Sequence, residues 1–360
     1  MESAVPRTAT ELVTASLNVI REGQTPSGAF LASPSFPTYR YCWFRDGAFI
    51  AQALDLWGDH LRSEHFYDWG VSTVLRNRGA VERVLAGPPN VVPAAHLHTR
   101  YEPDSTPSQD DWPTFQLDGF GTFLWGMVEH LRLTQKQMPA EWNEAAGLVV
   151  KYLAHLWRAP NFDCWEEFAD KIHISTLCAL HGGAAAIGEH LGTSEACSLA
   201  DETERFVRQE ASTTGYLPKF VGSNAVDASL LWAGIPFALL NIDDPLMEAT
   251  VNKIESDLVG PSGGVHRYAA DTYYGGGAWI LLTALLGEYW LRRGDHDRPF
   301  QILEWIESHA NGAGELPEQV PVDLIDVDKY DVWVKRWGPN ACPLLWSHAG
   351  YLRLKNAIAQ

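Results

Sequence analysis

Thr8-Ala9-Thr10-Glu11-Leu12-Val13-Thr14-Ala15-Ser16-Leu17-Asn18-Val19-Ile20-Arg21-Glu22-Gly23 is the stretch from which the fold can be read. Thr8 and Glu11 stand at capping-box spacing, Leu12, Leu17 and Ile20 can share one apolar face, and Gly23 supplies a stop. The same period returns along the chain, predicting helices near 45–57, 64–77, 116–134, 141–158, 172–190, 194–209, 225–240, 244–258, 277–293, 297–310 and 342–358. With the first, that makes about twelve. No strand-rich region and no Pro/Ser-rich linker interrupts them, so residues 1–360 are expected to form one all-helical domain. An even number of helices, joined alternately by short turns and long polar loops, suits a toroid of inner and outer helices with a site at one mouth. The longest irregular segments are roughly 23–44, 97–115, 211–224, 259–276 and 311–341. Functional residues belong there.

Composition narrows the ligand. The chain carries a formal charge of −18, and neutralising a polyanion would need clustered Lys and Arg that are absent, so nucleic acid is excluded and a neutral ligand fits. Fifteen Trp offer flat apolar faces on which the C–H face of a pyranose can lie, although core packing claims many of them. Cys42, Cys164, Cys178, Cys197 and Cys342 show no CxxC spacing and read as reduced, mostly buried thiols rather than a disulfide frame or zinc site. Met1 to Thr10 lacks a basic region followed by an apolar run, and no stretch approaches membrane-spanning length. A cytoplasmic protein without membrane contact is expected.

Two acidic motifs carry the chemistry, Cys164-Trp165-Glu166-Glu167-Phe168 and Leu316-Pro317-Glu318-Gln319-Val320. Each sets a glutamate beside an aromatic or amide side chain between helical segments, which is material for a two-carboxylate acid/base site of the kind glycoside hydrolysis requires. Competing sites are weaker. Gly263-Gly264 and Gly275-Gly276-Gly277 could cradle a phosphate, but no strand precedes them and no Lys-Ser/Thr follows. Asp323, Asp326, Asp328 and Asp331 lack the fixed Gly and terminal Glu of a calcium loop. His96 and His98 have no evident third ligand, so no metal is expected.

Five motifs in order, from Ser33 to Ala349, resemble the catalytic domain of glycoside hydrolase family 15, the glucoamylase family of inverting exo-α-glucosidases. They are Ser33-Pro34-Ser35-Phe36-Pro37-Thr38-Tyr39-Arg40-Tyr41-Cys42-Trp43-Phe44-Arg45-Asp46, Trp112-Pro113-Thr114-Phe115-Gln116-Leu117-Asp118-Gly119-Phe120-Gly121, and Trp165-Glu166-Glu167. Gly263-Gly264-Val265-His266-Arg267-Tyr268 with Tyr273–Trp279 makes the fourth. The last joins Gly314-Glu315-Leu316-Pro317-Glu318-Gln319 to Pro343-Leu344-Leu345-Trp346-Ser347-His348-Ala349.

The resemblance implies an (α/α)6 barrel, a toroid of six helical hairpins. It assigns Glu166 as general acid and Glu318 as general base, with Gln319 holding the attacking water and Tyr39 close to it. Arg45 and Asp46 would grip hydroxyls of the terminal glucose, Arg267 and Glu167 hydroxyls near the cleavage point, and Trp43, Trp112, Trp165 and Trp346 would line the cleft. Asp118 is expected to give structural support, and an adjacent carboxylate with an apolar Trp wall would raise the pKa of Glu166. Tyr330–Trp337 suggests a rim over the cleft.

The expected substrate is a small neutral α-glucoside such as isomaltose, isomaltotriose or maltose, with a lean to the α-1,6 linkage, and no cofactor. A trehalase using the same carboxylates, or a non-catalytic sugar-binding barrel, is the alternative. Monomer and homo-oligomer both stay open.

Overall fold

The computed structural model describes residues 9–360. Outer and inner helices alternate along the chain. The first half runs α1 (Ala9–Glu22, outer), α2 (Phe44–Leu56, inner), α3 (His60–Arg76, outer) with its short continuation α4 (Arg78–Leu85), α5 (Asp118–Thr134, inner), α6 (Ala140–Leu156, outer) and α7 (Ile174–Leu191, inner). Then follow α8 (Ser194–Ala211, outer), a 3-10 turn at Ala228–Ala233 (inner), α9 (Pro245–Leu258, outer), α10 (Ile280–Arg292, inner), α11 (Asp297–Ser308, outer), the surface helix α12 (Val327–Trp337) and α13 (Leu345–Ala359, inner).

The side chains decide which layer each helix takes. α2 buries every residue from Phe44 to Asp55, and α10 every residue from Ile280 to Tyr289; a helix apolar all round must be enclosed by others. In α8 burial falls only on Ala196, Leu199, Ala200, Thr203, Val207 and Ala211, one stripe that faces inward. The inner elements pack in the order α2, α5, α7, 3-10 turn, α10, α13 and back to α2, which closes a ring of six. Small residues let the ring draw tight. A Cβ on Gly183 of α7 would collide with the carbonyl oxygen of Gly121 in α5, so these two helices meet backbone to backbone.

The ring and its surround form the expected (α/α)6 barrel, with physical reasons for the departures. Thr8 of the predicted capping box lies outside the described residues. Gly23 does follow the last residue of α1, but its φ is not left-handed; it is small because a Cβ there would strike Leu345 of α13. The helix expected over 225–240 shrinks to the 3-10 turn. Asp227 accepts a hydrogen bond from the Ser229 N–H (2.9 Å) and starts the turn, while Pro236 lacks an N–H and disfavours helical φ/ψ at the residue before it. Conversely, the irregular segment 311–341 contains α12, started by Asp326, which accepts from Lys329 N–H (3.3 Å).

Four two-residue strands make two antiparallel ladders that periodicity does not reveal. β1 (Cys42–Trp43) pairs with β2 (Arg100–Tyr101), and β3 (Ala278–Trp279) pairs with β4 (Gln319–Val320). The first ladder ends one residue before α2 begins. The second ties the residue after Glu318 to the start of α10. Both therefore pin a loop at the N-terminal mouth of the inner ring.

Candidate active site

The N-terminal ends of the inner helices converge on one mouth. Arg45 and Asp46 open α2, Asp118 opens α5, and Trp346 occupies the first turn of α13. Below this level the ring is filled: Trp346 stacks on Phe49 (centroids 5.3 Å apart, planes 15° apart), and Trp232 and Trp125 pack against Phe49 in turn. The cavity above is a pocket of about 570 Å³ with aromatic rings prominent in its lining.

Glu166 and Glu318 both line this pocket. Oε1 of Glu166 accepts three hydrogen bonds, from Trp43 Nε1 (3.1 Å), Arg45 Nη2 (3.3 Å) and Gln116 Nε2 (3.1 Å). Among the described residues no donor reaches Oε2, which is therefore the oxygen available to carry a proton. Glu318 is 4% exposed; its Oε1 accepts from the Tyr39 hydroxyl (3.1 Å), and its Oε2 is buried with no hydrogen-bond partner among the described residues. The Tyr39 hydroxyl is also 2.8 Å from that of Tyr273. Since Tyr39 has one proton and gives it to Glu318, Tyr273 must donate to Tyr39, and the chain of hydroxyls points toward the carboxylate.

Burial pushes both carboxyls up. It takes Glu318 to about 8, against the pull of Arg267 and Tyr39. Glu166 is also raised by burial, with Arg45 and Gln116 opposing. Of the two causes expected from sequence, desolvation beside an apolar wall applies, but the adjacent carboxylate does not. Glu167 turns away to Arg267 Nη2 (3.6 Å) and the Tyr268 hydroxyl (2.5 Å), and the Trp165 indole N–H turns to Asp227. Trp43, read as lining, does line the pocket and also donates directly to the acid.

At the inner end of the pocket, Arg45 is gripped by Asp118 (2.9 Å) and Gln116 (3.0 Å). Its Nε and Oδ2 of Asp46 lie 3.4 Å apart, and both are buried without a hydrogen bond among the described residues. Burial raises Asp46 to about 7. A donor and an acceptor left unspent side by side suit vicinal hydroxyl groups, which can accept from one and donate to the other. Arg267 is clamped by Asp271 (2.7 and 2.6 Å), and its guanidinium sits among the rings of Trp165, Tyr273 and Trp279.

The family profile of glycosyl hydrolases family 15 matches residues 8–296. The chain belongs to this family. It is 39% identical over 358 residues to the isomaltose glucohydrolase of Kribbella flavida, covering 97% of this chain and 92% of that protein. A solved glycosidase variant in complex with glucose superposes with a TM-score of 0.92 at 38% identity, covering 97% of this chain and 96% of that one. A bacterial glucoamylase complexed with acarbose shares the fold at 20% identity and a TM-score of 0.73, over 97% of this chain and 55% of that one.

Of the residues singled out in sequence, this family 15 pocket gathers Tyr39, Trp43, Arg45, Asp46, Trp112, Trp165, Glu166, Glu167, Arg267, Glu318 and Trp346 on its wall. Gln319 does not join them. Its amide is spent on the backbone, accepting from Gly277 N–H (2.9 Å) and donating to the Tyr273 carbonyl (3.1 Å), so it splints the β3–β4 corner rather than holding a water. Gln116, given no role in the sequence reading, donates to Glu166 itself. Tyr273, Trp279, Asp110 and Asp111 also line the pocket and were missed. A Tyr273-Tyr274 pair was visible, but spacing does not tell which ring faces the base. Trp333, Arg336 and Trp337 belong to α12, which does form the suggested rim, with Trp333 5.0 Å from Tyr273.

The rejected metal candidates have other partners. His96 Nε2 lies 3.0 Å from the Thr114 hydroxyl and its Nδ1 faces the Pro93 carbonyl. Asp323 accepts from Ser262 N–H (2.8 Å), and Asp326 starts α12. Among the described residues no helix is long and apolar enough to cross a membrane.

Proposed function

We propose that this family 15 glycoside hydrolase removes the non-reducing terminal α-D-glucose from short α-gluco-oligosaccharides, isomaltose first, with inversion at the anomeric carbon, and that residues 1–360 act as one catalytic domain. The observation that carries the reading is a pocket backed by packed aromatic rings, with two raised carboxyls on its wall and an unspent Arg45–Asp46 pair beside them. A pocket floored by Trp346 admits only a chain end, which makes the action exo. One contiguous core running from Leu12 to Leu354 supports the single domain.

Glu166 is the general acid: its free Oε2 presents the proton to the glycosidic oxygen while Oε1 stays anchored. Glu318 is the general base. A water that donates to its unpartnered Oε2 supplies hydrogen-bond stabilisation that the ionised form otherwise lacks, so the nucleophile itself prepares the base. That water attacks the anomeric carbon from the side opposite the departing oxygen, through an oxocarbenium-like transition state, and β-D-glucose leaves. Arg45 and Asp46 hold the glucose so that its anomeric carbon lies between the two carboxyls, and the ring faces of the surrounding indoles receive the apolar faces of the sugars. Every group in this sequence of steps is a side chain, and the chemistry calls for no cofactor.

The α-1,6 preference is supported by the isomaltose glucohydrolase relative, which matches over nearly its whole length. Glucose release from isomaltose, maltose and trehalose in parallel tests it: isomaltose should give the highest kcat/KM, and a preference for trehalose would replace the reading with a trehalase. Proton NMR in the first minutes of isomaltose hydrolysis should show β-glucose before mutarotation supplies the α-anomer. Early α-glucose would mean that a carboxylate attacks carbon directly.

A further inference from the structure

One buried charge cluster lies behind the site. Lys219, in the loop between α8 and the 3-10 turn, is 4% exposed, and Asp163 and Asp227 are each 2% exposed. Its Nζ donates to Asp163 Oδ2 (3.2 Å) and Asp227 Oδ2 (2.5 Å), and lies 3.9 Å from the ring centre of Tyr268. Lys219 does not line the pocket.

Each partner of Lys219 holds a different part of the acid segment. Asp163 Oδ1 accepts the backbone N–H of Trp165 (3.0 Å) and of Glu167 (2.9 Å), and its carbonyl accepts the N–H of Glu166 (3.0 Å). This tight turn sets Glu166 at a φ of +62, a left-handed conformation that a non-glycine residue adopts only when its surroundings impose it. Asp227 receives the Trp165 indole N–H on both oxygens (3.1 and 3.0 Å) and so fixes that ring against the pocket. The third contact, Tyr268, donates to Glu167.

We propose that Lys219 is a positioning residue for the acid half of the reaction: its ammonium locks Asp163 and Asp227 in the geometry that holds Glu166 in its left-handed turn and aims Oε2 at the glycosidic oxygen. The charge is needed as well as the shape. Two buried carboxylates without a cation between them repel and seek water, and the turn that depends on them then relaxes. Burial works against the ammonium, but the two aspartates outweigh it and Lys219 stays charged.

The inference rests on Glu166 as the acid, and a pair of substrates separates the two claims. Isomaltose needs a proton on its departing oxygen; α-D-glucosyl fluoride expels fluoride ion when its C–F bond breaks and needs none. In Lys219→Met, kcat on isomaltose should fall about 100-fold, the scale of a misplacement near 1 Å, while KM stays within a few-fold of wild type and kcat on the fluoride falls less than tenfold. Lys219→Arg, which keeps the charge, should recover part of the isomaltose loss. Equal losses on both substrates in a folded Lys219→Met protein would overturn the positioning role, as would unchanged isomaltose turnover. If Lys219→Met does not fold, Lys219→Met with Asp227→Asn removes one anion with the cation and is measured in the same way, with the same outcomes deciding. Glu166→Gln in parallel tests the acid role itself: if it discriminates between the substrates and the Lys219 variants do not, only the present inference fails.

Discussion

Tyr39→Phe removes one hydroxyl from the base and leaves the ring that packs against Phe36 and Trp43. The lost interaction is a hydrogen bond to a buried carboxylate, worth about 1.5–3 kcal/mol, and 1.36 kcal/mol corresponds to one pKa unit. The donor stabilises the charged form, so without it Glu318 should rise above its value of about 8, by roughly one to two units. The reaction needs Glu318 ionised and Glu166 protonated. On the acid side of the profile the population of that state is proportional to the ionisation constant of Glu318, whichever carboxyl titrates first. On the alkaline side only Glu166 governs it. The ratio of wild-type to variant kcat/KM should therefore be about 10- to 100-fold at low pH and approach one as pH rises. Initial rates on isomaltose across the stable pH range measure that ratio directly. Tyr273, left without its acceptor, can turn its proton to Glu318 and soften the effect, so Tyr39→Phe with Tyr273→Phe should show the larger shift. A ratio that stays constant across pH would show that Tyr39 acts by packing or substrate contact and not through the ionisation of the base.

Two further outcomes follow from the same geometry. Glu318→Gln should lower kcat by about 10²–10⁴-fold on every substrate, with a thermal midpoint no lower than wild type because a buried carboxyl is replaced by a neutral isostere; Glu315→Gln, at a carboxylate that accepts from Asn311 (2.8 Å) outside the pocket, should stay within a few-fold in the same assay. Glu166→Gln should cost far more on isomaltose than on α-D-glucosyl fluoride, and an equal cost would move the acid role to Glu167.

What could be read from the chain was whatever local periodicity or residue type determines. The helices around residues 118–134, 174–191 and 280–292 announce themselves as long apolar runs, which suit elements enclosed on all sides. Glu166, Glu318, Arg45 and Asp46 were found because motif order alone placed them. The failures have a common origin in long-range contact. Gln319 sits beside the base in sequence, yet the β3–β4 ladder turns its amide to Gly277, and nothing in Pro-Glu-Gln encodes that ladder. Lys219 is an ordinary loop lysine until Asp163, 56 residues before it, is brought in opposite Asp227, eight residues after it. The segment 225–240 has helical composition, and Pro236 was the signal against it. α12 had its own markers, Asp326 at the start, Lys335 and Arg336 in the last turn and an apolar stripe through Val327, Tyr330, Val334 and Trp337, but it buries no side chain.

That last property has a consequence for how the molecule opens and how it could be altered. α12 contributes no buried residue, and its main neighbour is the 273–275 turn, reached through Trp333. Its amides belong to a unit whose local unfolding exposes little apolar surface, and such units exchange hydrogen well before the global transition. The barrel and the wall of the mouth are thus thermodynamically separate modules. Residues 327–337 can be traded for another segment, by drift or by design, to change what leaving group the pocket accepts while the stability of the ring is left almost untouched.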